Sequence, residues 1–351
     1  MKHIYVRVDG NEIIATGHVM RCLSIAEKLR QLGAEVIFVV ADARPRDLIE
    51  QRGFQVDVLH TIWNELEGEI DIFKEYIVNH QVKTLLLDTY YVTENYLKSI
   101  SQCTNVIYMD DLNRFLYPVH TIVRYNAFVD EEEYKRPYKE NGYVNRFLVG
   151  SKYVPLREEF SYEPYEVKKN VRRVLITTGG TDKLNVAGNL LNMLLKDDKC
   201  RELEYHVIVG CFNQHREELL VLENEYDQVH LHENVTNMSE WMRNCDVAIS
   251  AAGTTTYELC ACGIPSICLS IADNQSAAKQ WEQHGYMKYA GNACLDMENC
   301  LENCKKSLVE YRDNYKERME TSKRMQSLID GYGAKRIAEY VVYEMGEVEC
   351  R

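Results

Sequence analysis

His18 and Arg21 stand three residues apart where a β-type run, Ile4-Tyr5-Val6-Arg7-Val8, gives way through Ala15-Thr16-Gly17 to a helical pattern. That spacing puts both side chains on one face of a first helical turn. The N–H groups of such a turn are unpaired and the dipole is positive there, so anions settle at it. An imidazole that titrates near neutrality beside a permanent cation suits acid–base chemistry on an anionic substrate. The plainer alternatives are a capping or core histidine and a solvated helix charge.

Five further segments end apolar runs in the same way. Tyr90 lies in Leu87-Asp88-Thr89-Tyr90-Tyr91, and Met109-Asp110-Asp111 closes another run; carboxylates at strand ends are also common turn formers. Thr177-Thr178-Gly179-Gly180-Thr181-Asp182 follows a strand, and its two glycines permit either close phosphate approach or simply a tight turn. In Ile249-Ser250-Ala251-Ala252-Gly253-Thr254-Thr255-Thr256-Tyr257-Glu258 small residues make the turn and threonines fall at the helix start, offering donors to a diphosphate. Glu258, one turn in, is placed either to accept ribose hydroxyls or as an ordinary first-turn charge. Asp273-Asn274-Gln275 ends the next strand, with amides that either read a sugar or base edge or cap a helix.

These segments need a scaffold, and the apolar runs supply it. Val36–Val40, Thr84–Leu87 and Val106–Met109 are continuous runs of strand length, as expected of parallel strands covered on both faces. Between the first strand and Val36, Val19, Leu23, Ala26 and Leu29 repeat at helical spacing and Gly33 stops the pattern. The rhythm restarts at Val174–Thr177, Tyr205–Val209, Val247–Ile249 and Ser266–Leu269. Three of the six prolines fall between 137 and 164, among charges and tyrosines, which suits a linker. The expectation is an α/β protein of two Rossmann-like domains facing a cleft, 1–160 and 165–351. The second carries a charged helical tail from about Glu298. Ligands then belong at the carboxyl ends of the strands.

The 351 residues are enough for two such cores, and the net charge of −13 argues against nucleic acid or an anionic membrane as partner. No apolar run reaches the ~18 residues of a membrane span and no signal-peptide pattern is present, so a cytoplasmic protein is expected. The twelve cysteines include no C-x-x-C pair and no histidine at zinc spacing, so reduced thiols are expected and no metal or cofactor.

Taken together, Gly17-His18-Val19-Met20-Arg21, Thr178-Gly179-Gly180-Thr181-Asp182, Ala252-Gly253-Thr254-Thr255-Thr256-Tyr257-Glu258-Leu259 and Ala272-Asp273-Asn274-Gln275 resemble the UDP-2,4-diacetamido-2,4,6-trideoxy-β-L-altropyranose hydrolases of pseudaminic acid biosynthesis. The likeness runs from about residue 4 to about residue 290. It implies the glycosyltransferase-B architecture and release of UDP by water attack at the anomeric carbon, with inversion. It also implies His18 as general base. Gly17, Arg21, Tyr90, Asn274 and Gln275 would lie on the sugar side. Gly179, Gly180, Thr181, Ala252, Gly253, Thr254, Thr255 and Glu258 would hold the nucleotide. Two features depart from the family: Ala15 stands where a glycine is common, and the charged tail is longer. The rival readings are a glycosyltransferase of the same fold and a nucleotide-sugar binding protein without turnover.

Overall fold

The computed structural model describes residues 2–143, 145–272, 275 and 278–345. The chain divides into two compact units, Met1–Glu158 with Gly331–Arg351, and Glu159–Asp330. Each is built on a parallel sheet of nearly continuous apolar strands.

The first unit holds β1 (His3–Val8), β2 (Glu35–Val40), β3 (Gln55–Val58), β4 (Thr84–Asp88), β5 (Asn105–Met109), β6 (Thr121–Arg124) and β7 (Arg146–Val149). They lie side by side as β3-β2-β1-β4-β5-β6-β7. The chain winds outward from β1 through β2 and β3, then returns to place β4 on the other flank of β1. Helix Gly17–Gln31, whose face of Val19, Leu23, Ala26 and Leu29 is buried, makes the first crossover. On this sheet Leu85, Leu87, Val106 and Ile122 pack with Phe73, Ile77, Leu97 and Ile100. Each such fully buried side chain stabilises the fold by roughly 1.5–3 kcal/mol.

The second unit repeats the plan with β8 (Arg173–Thr177), β9 (Glu204–Val209), β10 (Val229–Glu233), β11 (Val247–Ala251), β12 (Ser266–Ser270) and β13 (Lys288–Asn292), ordered β10-β9-β8-β11-β12-β13. Val174, Ile176, Val207, Ile249 and Ile267 form its core with Leu190, Leu191, Leu194 and Leu308. In both sheets the winding reverses beside the first strand, between β1 and β4 and between β8 and β11. Parallel α/β sheets bind ligands at the carboxyl ends of such reversal points.

The tail departs from the expected 165–351 grouping. Helices Met297–Asp313 and Tyr315–Leu328 belong to the second unit, but Gly331 onward folds with the first. Helix Gly333–Glu339 packs on helix Gly17–Gln31. It docks so closely that a Cβ on Gly333 would lie 2.1 Å from the Val154 carbonyl oxygen. Tyr340 then exchanges a 2.8 Å hydrogen bond with Thr121, and Arg336 donates to the Lys152 carbonyl at 2.9 Å. The expected linker is likewise narrower than 137–164, since Pro137 lies inside helix Glu131–Glu140 and β7 follows it. Gly333→Ala should therefore destabilise the first unit by about 1–3 kcal/mol in denaturant unfolding. An unchanged midpoint would mean that the tail does not dock there.

Candidate functional site

The first cluster is built at the reversal point of the first sheet. Beyond β1, Asp9 accepts the Ala41 N–H at 2.8 Å and an ion pair from buried Arg7 at 2.5 Å, so the loop leaves the strand on a fixed course. The Asn11 side chain then accepts the N–H groups of Ile13 and Ile14 at 2.8 and 3.0 Å, and Ala15 closes the turn at φ +56°. That left-handed backbone costs a non-glycine residue roughly 1–2 kcal/mol, which accounts for a glycine being usual in the resembled family. Helix Gly17–Gln31 starts with no side-chain cap and no acidic residue in its first turn. Gly17 itself has open space where a Cβ would stand.

His18 and Arg21 do share one face, and three residues from other strands join them. Arg21 donates from Nε and Nη2 to the two oxygens of Asp88, both at 2.5 Å, and from Nη1 to Asp111 at 2.7 Å and to the Tyr125 hydroxyl. Asp88 ends β4 and is fully buried; it also accepts the Cys22 thiol at 3.4 Å. Burial alone would raise the Asp88 carboxyl, but the charge and hydrogen bonds of Arg21 outweigh it and hold the group ionised below its ordinary range. With these acceptors taken, Arg21 is 9% exposed.

The His18 ring stands edge-on against Tyr90, with centroids 4.3 Å apart and planes at 89°. Its Nδ1 is buried without a hydrogen-bond partner, 3.9 Å from Asp88 Oδ1. That is too long for a hydrogen bond, so Asp88 acts on the ring by charge alone. Burial lowers the His18 pKa, and the charge of Arg21 pushes the same way against Asp88, Asp111 and Asp9. The imidazole is thus neutral at neutral pH. Burial, and after it the negative charge of Asp111, raise the pKa of the half-buried Tyr90 hydroxyl and keep it protonated.

The second cluster lies at the reversal point of the second sheet, where the pairing of Ser250 with Thr177 sets the ends of β8 and β11 side by side. Gly179, at φ +81°, and Gly180 are exposed with open space around them, and Thr181 follows them at the surface. Gly210 is forced to be glycine, because a Cβ would lie 2.4 Å from the Gly180 oxygen. Asp182, however, accepts the N–H groups of Val186 and Ala187 at 2.8 and 3.0 Å. A protein carboxylate therefore already occupies the start of helix Val186–Leu194, which disfavours an anionic ligand at that helix end.

Helix Thr255–Cys262 differs. Its N-cap Thr254 makes no side-chain cap, while Thr256 hydroxyl donates to the Gly253 carbonyl at 2.7 Å and shapes the Ala252–Thr255 turn. Glu258 sits half-buried in the first turn of this helix. Gln275 comes to the same turn: its Oε1 accepts the Ile271 N–H at 2.8 Å, and its Nε2 lies 3.8 Å from the Cβ position of Gly253. Asn274 lies outside the described residues. The structure thus gathers Gly17, His18, Arg21 and Tyr90 in one unit and the Gly179–Thr181 loop, the Ala252–Thr255 turn, Glu258 and Gln275 in the other. The pairing of Arg21 with Asp88, Asp111 and Tyr125 has no signal in local sequence spacing. Among the described residues no group of three or more His, Cys, Asp or Glu is placed to hold a metal ion, and no helix is long and apolar enough to cross a membrane.

Residues 174–332 match the glycosyltransferase family 28 C-terminal domain. The chain is similar in fold to MurG of Acinetobacter baumannii, with TM-score 0.69 at 15% identity over 98% of this chain and 100% of that one. It is likewise similar to the UDP-GlcNAc 2-epimerase of Neisseria meningitidis solved with UDP-GlcNAc, with TM-score 0.63 at 14% identity over 97% and 100%. The fold is the glycosyltransferase-B architecture. In sequence, the uncharacterized protein MJ1062 of Methanocaldococcus jannaschii is 30% identical over 281 residues, 76% of this chain and 55% of its own length. The spore coat polysaccharide biosynthesis protein SpsG of Bacillus subtilis is 24% identical over 95% of this chain and 96% of its own. A Helicobacter pylori protein named pseudaminic acid cytidylyltransferase and UDP-2,4-diacetamido-2,4,6-trideoxy-beta-L-altropyranose hydrolase is 24% identical over 81% of this chain and 48% of its own. The chain thus spans about half the length of MJ1062 and of the H. pylori protein.

Two outcomes follow from the first cluster. Asp88→Ala leaves two donors of the buried Arg21 without an acceptor and Asp111 as its one remaining carboxylate, and should cost about 3–5 kcal/mol in denaturant unfolding; a loss under about 1 kcal/mol would mean that Asp111 alone suffices. By NMR, His18 should titrate below its ordinary 6.5 in the folded protein. As pH falls through 6.5 the unfolded chain takes up this proton first, so stability drops with acidification until the folded imidazole is also charged. Titration at or above 6.5 would contradict the assigned surroundings.

Proposed function

We propose that this protein is a nucleotide-sugar hydrolase that releases UDP from a UDP-linked 2,4-diacetamido-trideoxy hexose, serving synthesis of a pseudaminic-acid-type sugar. The observation that carries this reading is the buried His18 ring, edge-on to Tyr90 with centroids 4.3 Å apart and with its Nδ1 3.9 Å from Asp88 Oδ1. In that setting Nδ1 keeps its proton and Nε2 offers the lone pair of a general base. Water loses a proton to His18 as its oxygen bonds to the anomeric carbon. The carbon–oxygen bond to the diphosphate breaks, and its electron pair leaves on UDP with inversion at carbon. Arg21, fully engaged by Asp88, Asp111 and Tyr125, serves as a positioning group, with Gly17 and Tyr90 of the same unit on the sugar.

For the nucleotide, the uncapped helix Thr255–Cys262 is favoured over the helix whose N–H groups Asp182 already fills. Its dipole and the Ala252–Thr255 donors stabilise the charge developing on the leaving group, with the Gly179-Gly180-Thr181 loop beside them and Glu258 on the ribose. The name carried by the H. pylori relative supports hydrolysis. Transfer to an acceptor hydroxyl is the second reading, favoured by the glycosyltransferase family 28 match. That match covers the nucleotide half and is silent on what attacks the sugar.

Acceptor-free UDP release, measured over a panel of UDP-sugars with mass spectrometry of the products, separates the readings. Hydrolysis predicts stoichiometric free sugar and UDP with no acceptor present. His18→Asn should cut that turnover by ~10²–10⁴ while leaving UDP affinity nearly unchanged. The rate should fall on the acid side as His18 protonates, below pH 6.5. A variant retaining more than about half the rate would remove His18 from the base role.

A further inference from the structure

Positive charge gathers in the second unit at the end of the sheet opposite the Gly179–Thr181 and Ala252–Thr255 turns. Lys168, Lys169, Arg172 and Arg173 stand at the start of β8, four cations within six residues of a chain whose net charge is −13. With Asn170 they wall a cavity of about 420 Å³ that Glu204 and Asp246 complete. The pairing of Arg173 with Glu204 sets the starts of β8 and β9 side by side, and Asp246 immediately precedes β11. Two of the cations are balanced there. Lys168 Nζ lies 3.2 Å from Asp246 Oδ1, and Arg173 Nε donates to Glu204 at 3.0 Å. Lys169 and Arg172 are exposed, and neither side chain has an acceptor or a carboxylate partner among the described residues.

The wall is held from behind. Asp246, 3% exposed, accepts the N–H groups of Arg172 and Arg173 at 2.8 and 2.9 Å. Arg318 of helix Tyr315–Leu328, 0% exposed, donates from Nη2 to the Lys168 and Lys169 carbonyls at 3.0 and 2.8 Å. Its Nε is buried without a partner, and no carboxylate among the described residues touches it, so a further positive charge backs the wall. Backbone fixed in this way cannot move to spread the cations, and their repulsion persists until an anion enters. Two uncommitted charges match the dianion of a phosphate monoester. The Arg172 guanidinium offers the planar fork that phosphate oxygens accept bidentately. The volume suits a small ligand, and no aromatic ring of the described residues lines it to stack on a base. We propose that this cavity, separate from the nucleotide turns, binds a small phosphate monoester without a nucleobase, held by Lys169 and Arg172 with the Asn170 amide as a neutral donor.

Glycerol phosphate titrated into the full chain at constant ionic strength, followed by amide NMR, tests this. The amides of Lys169, Asn170 and Arg172 should shift saturably. The Lys169→Gln/Arg172→Gln variant should bind about 10- to 100-fold more weakly. Lys98→Gln/Lys139→Gln, which removes as much charge from the first unit, should bind like the wild type. Equal affinity in the two double variants would overturn the proposal, as would shifts that sodium chloride reproduces at the same ionic strength. Shifts confined to Gly253, Thr254 and Thr255 would also overturn it, by placing the phosphate at the nucleotide turn. Sedimentation with phosphatidylglycerol vesicles, without any shift on adding glycerol phosphate, would overturn it in favour of a lipid surface. If Lys169→Gln/Arg172→Gln does not fold, the position of the wild-type shifts decides alone. A wild-type protein inactive on every UDP-sugar would sink the hydrolase reading and leave this measurement in force.

Discussion

The guanidinium of Arg21, buried between Asp88 and Asp111, is the interaction on which the first unit's chemistry depends. Desolvating one cation and two carboxylates costs several kcal/mol per ion, and only near-ideal geometry offsets that. The geometry exists because β1, β4 and β5 are neighbours in one parallel sheet, so their carboxyl ends deliver the first helix, Asp88 and the 110–114 loop to one place. Any other strand order would strand a charge. The ion cluster thus ties correct assembly of the sheet to the electrostatics of His18, whose imidazole is kept neutral by burial and by the cation beneath it.

The second unit uses the same topology for a different electrostatic task. Among its described residues no comparable buried cation lies at its reversal point, where turn backbone and hydroxyl groups stand instead. In a chain of net charge −13 such local positive potential has to come from oriented N–H groups and helix dipoles. The two helices that begin there are not equivalent: Asp182 spends one on the protein itself, while the other begins at Thr254 without a side-chain cap. Sequence resemblance alone ranks the two loops equally; the hydrogen bonds of Asp182 separate them.

The central strands were legible because burial on both faces leaves unbroken apolar runs, as in Val36–Val40 and Val247–Ile249. Edge strands were not. β3 reads Gln-Val-Asp-Val and β10 reads Val-His-Leu-His-Glu, short half-exposed segments whose alternating polar residues break the continuous apolar run that marks the central strands. His18 and Arg21 announced themselves through local spacing on a helix. Their partners did not, since Asp88 and Asp111 lie 67 and 90 residues beyond Arg21 and meet it only through sheet order. The tail beyond Gly331 was misassigned for a similar reason, because helical period says nothing about which core a helix joins. Ala15 shows the converse: a departure from the family's glycine became intelligible once its positive φ was seen.

In the proposed mechanism His18-activated water attacks the anomeric carbon and not phosphorus. Turnover of the UDP-sugar in ¹⁸O-labelled water, with both products read by mass spectrometry, tests it directly. Attack at carbon places the label in the released sugar and leaves UDP unlabelled, and mutarotation at the anomeric centre does not move the label into UDP. Label in the nucleotide, or sugar-1-phosphate and UMP as products, would contradict it.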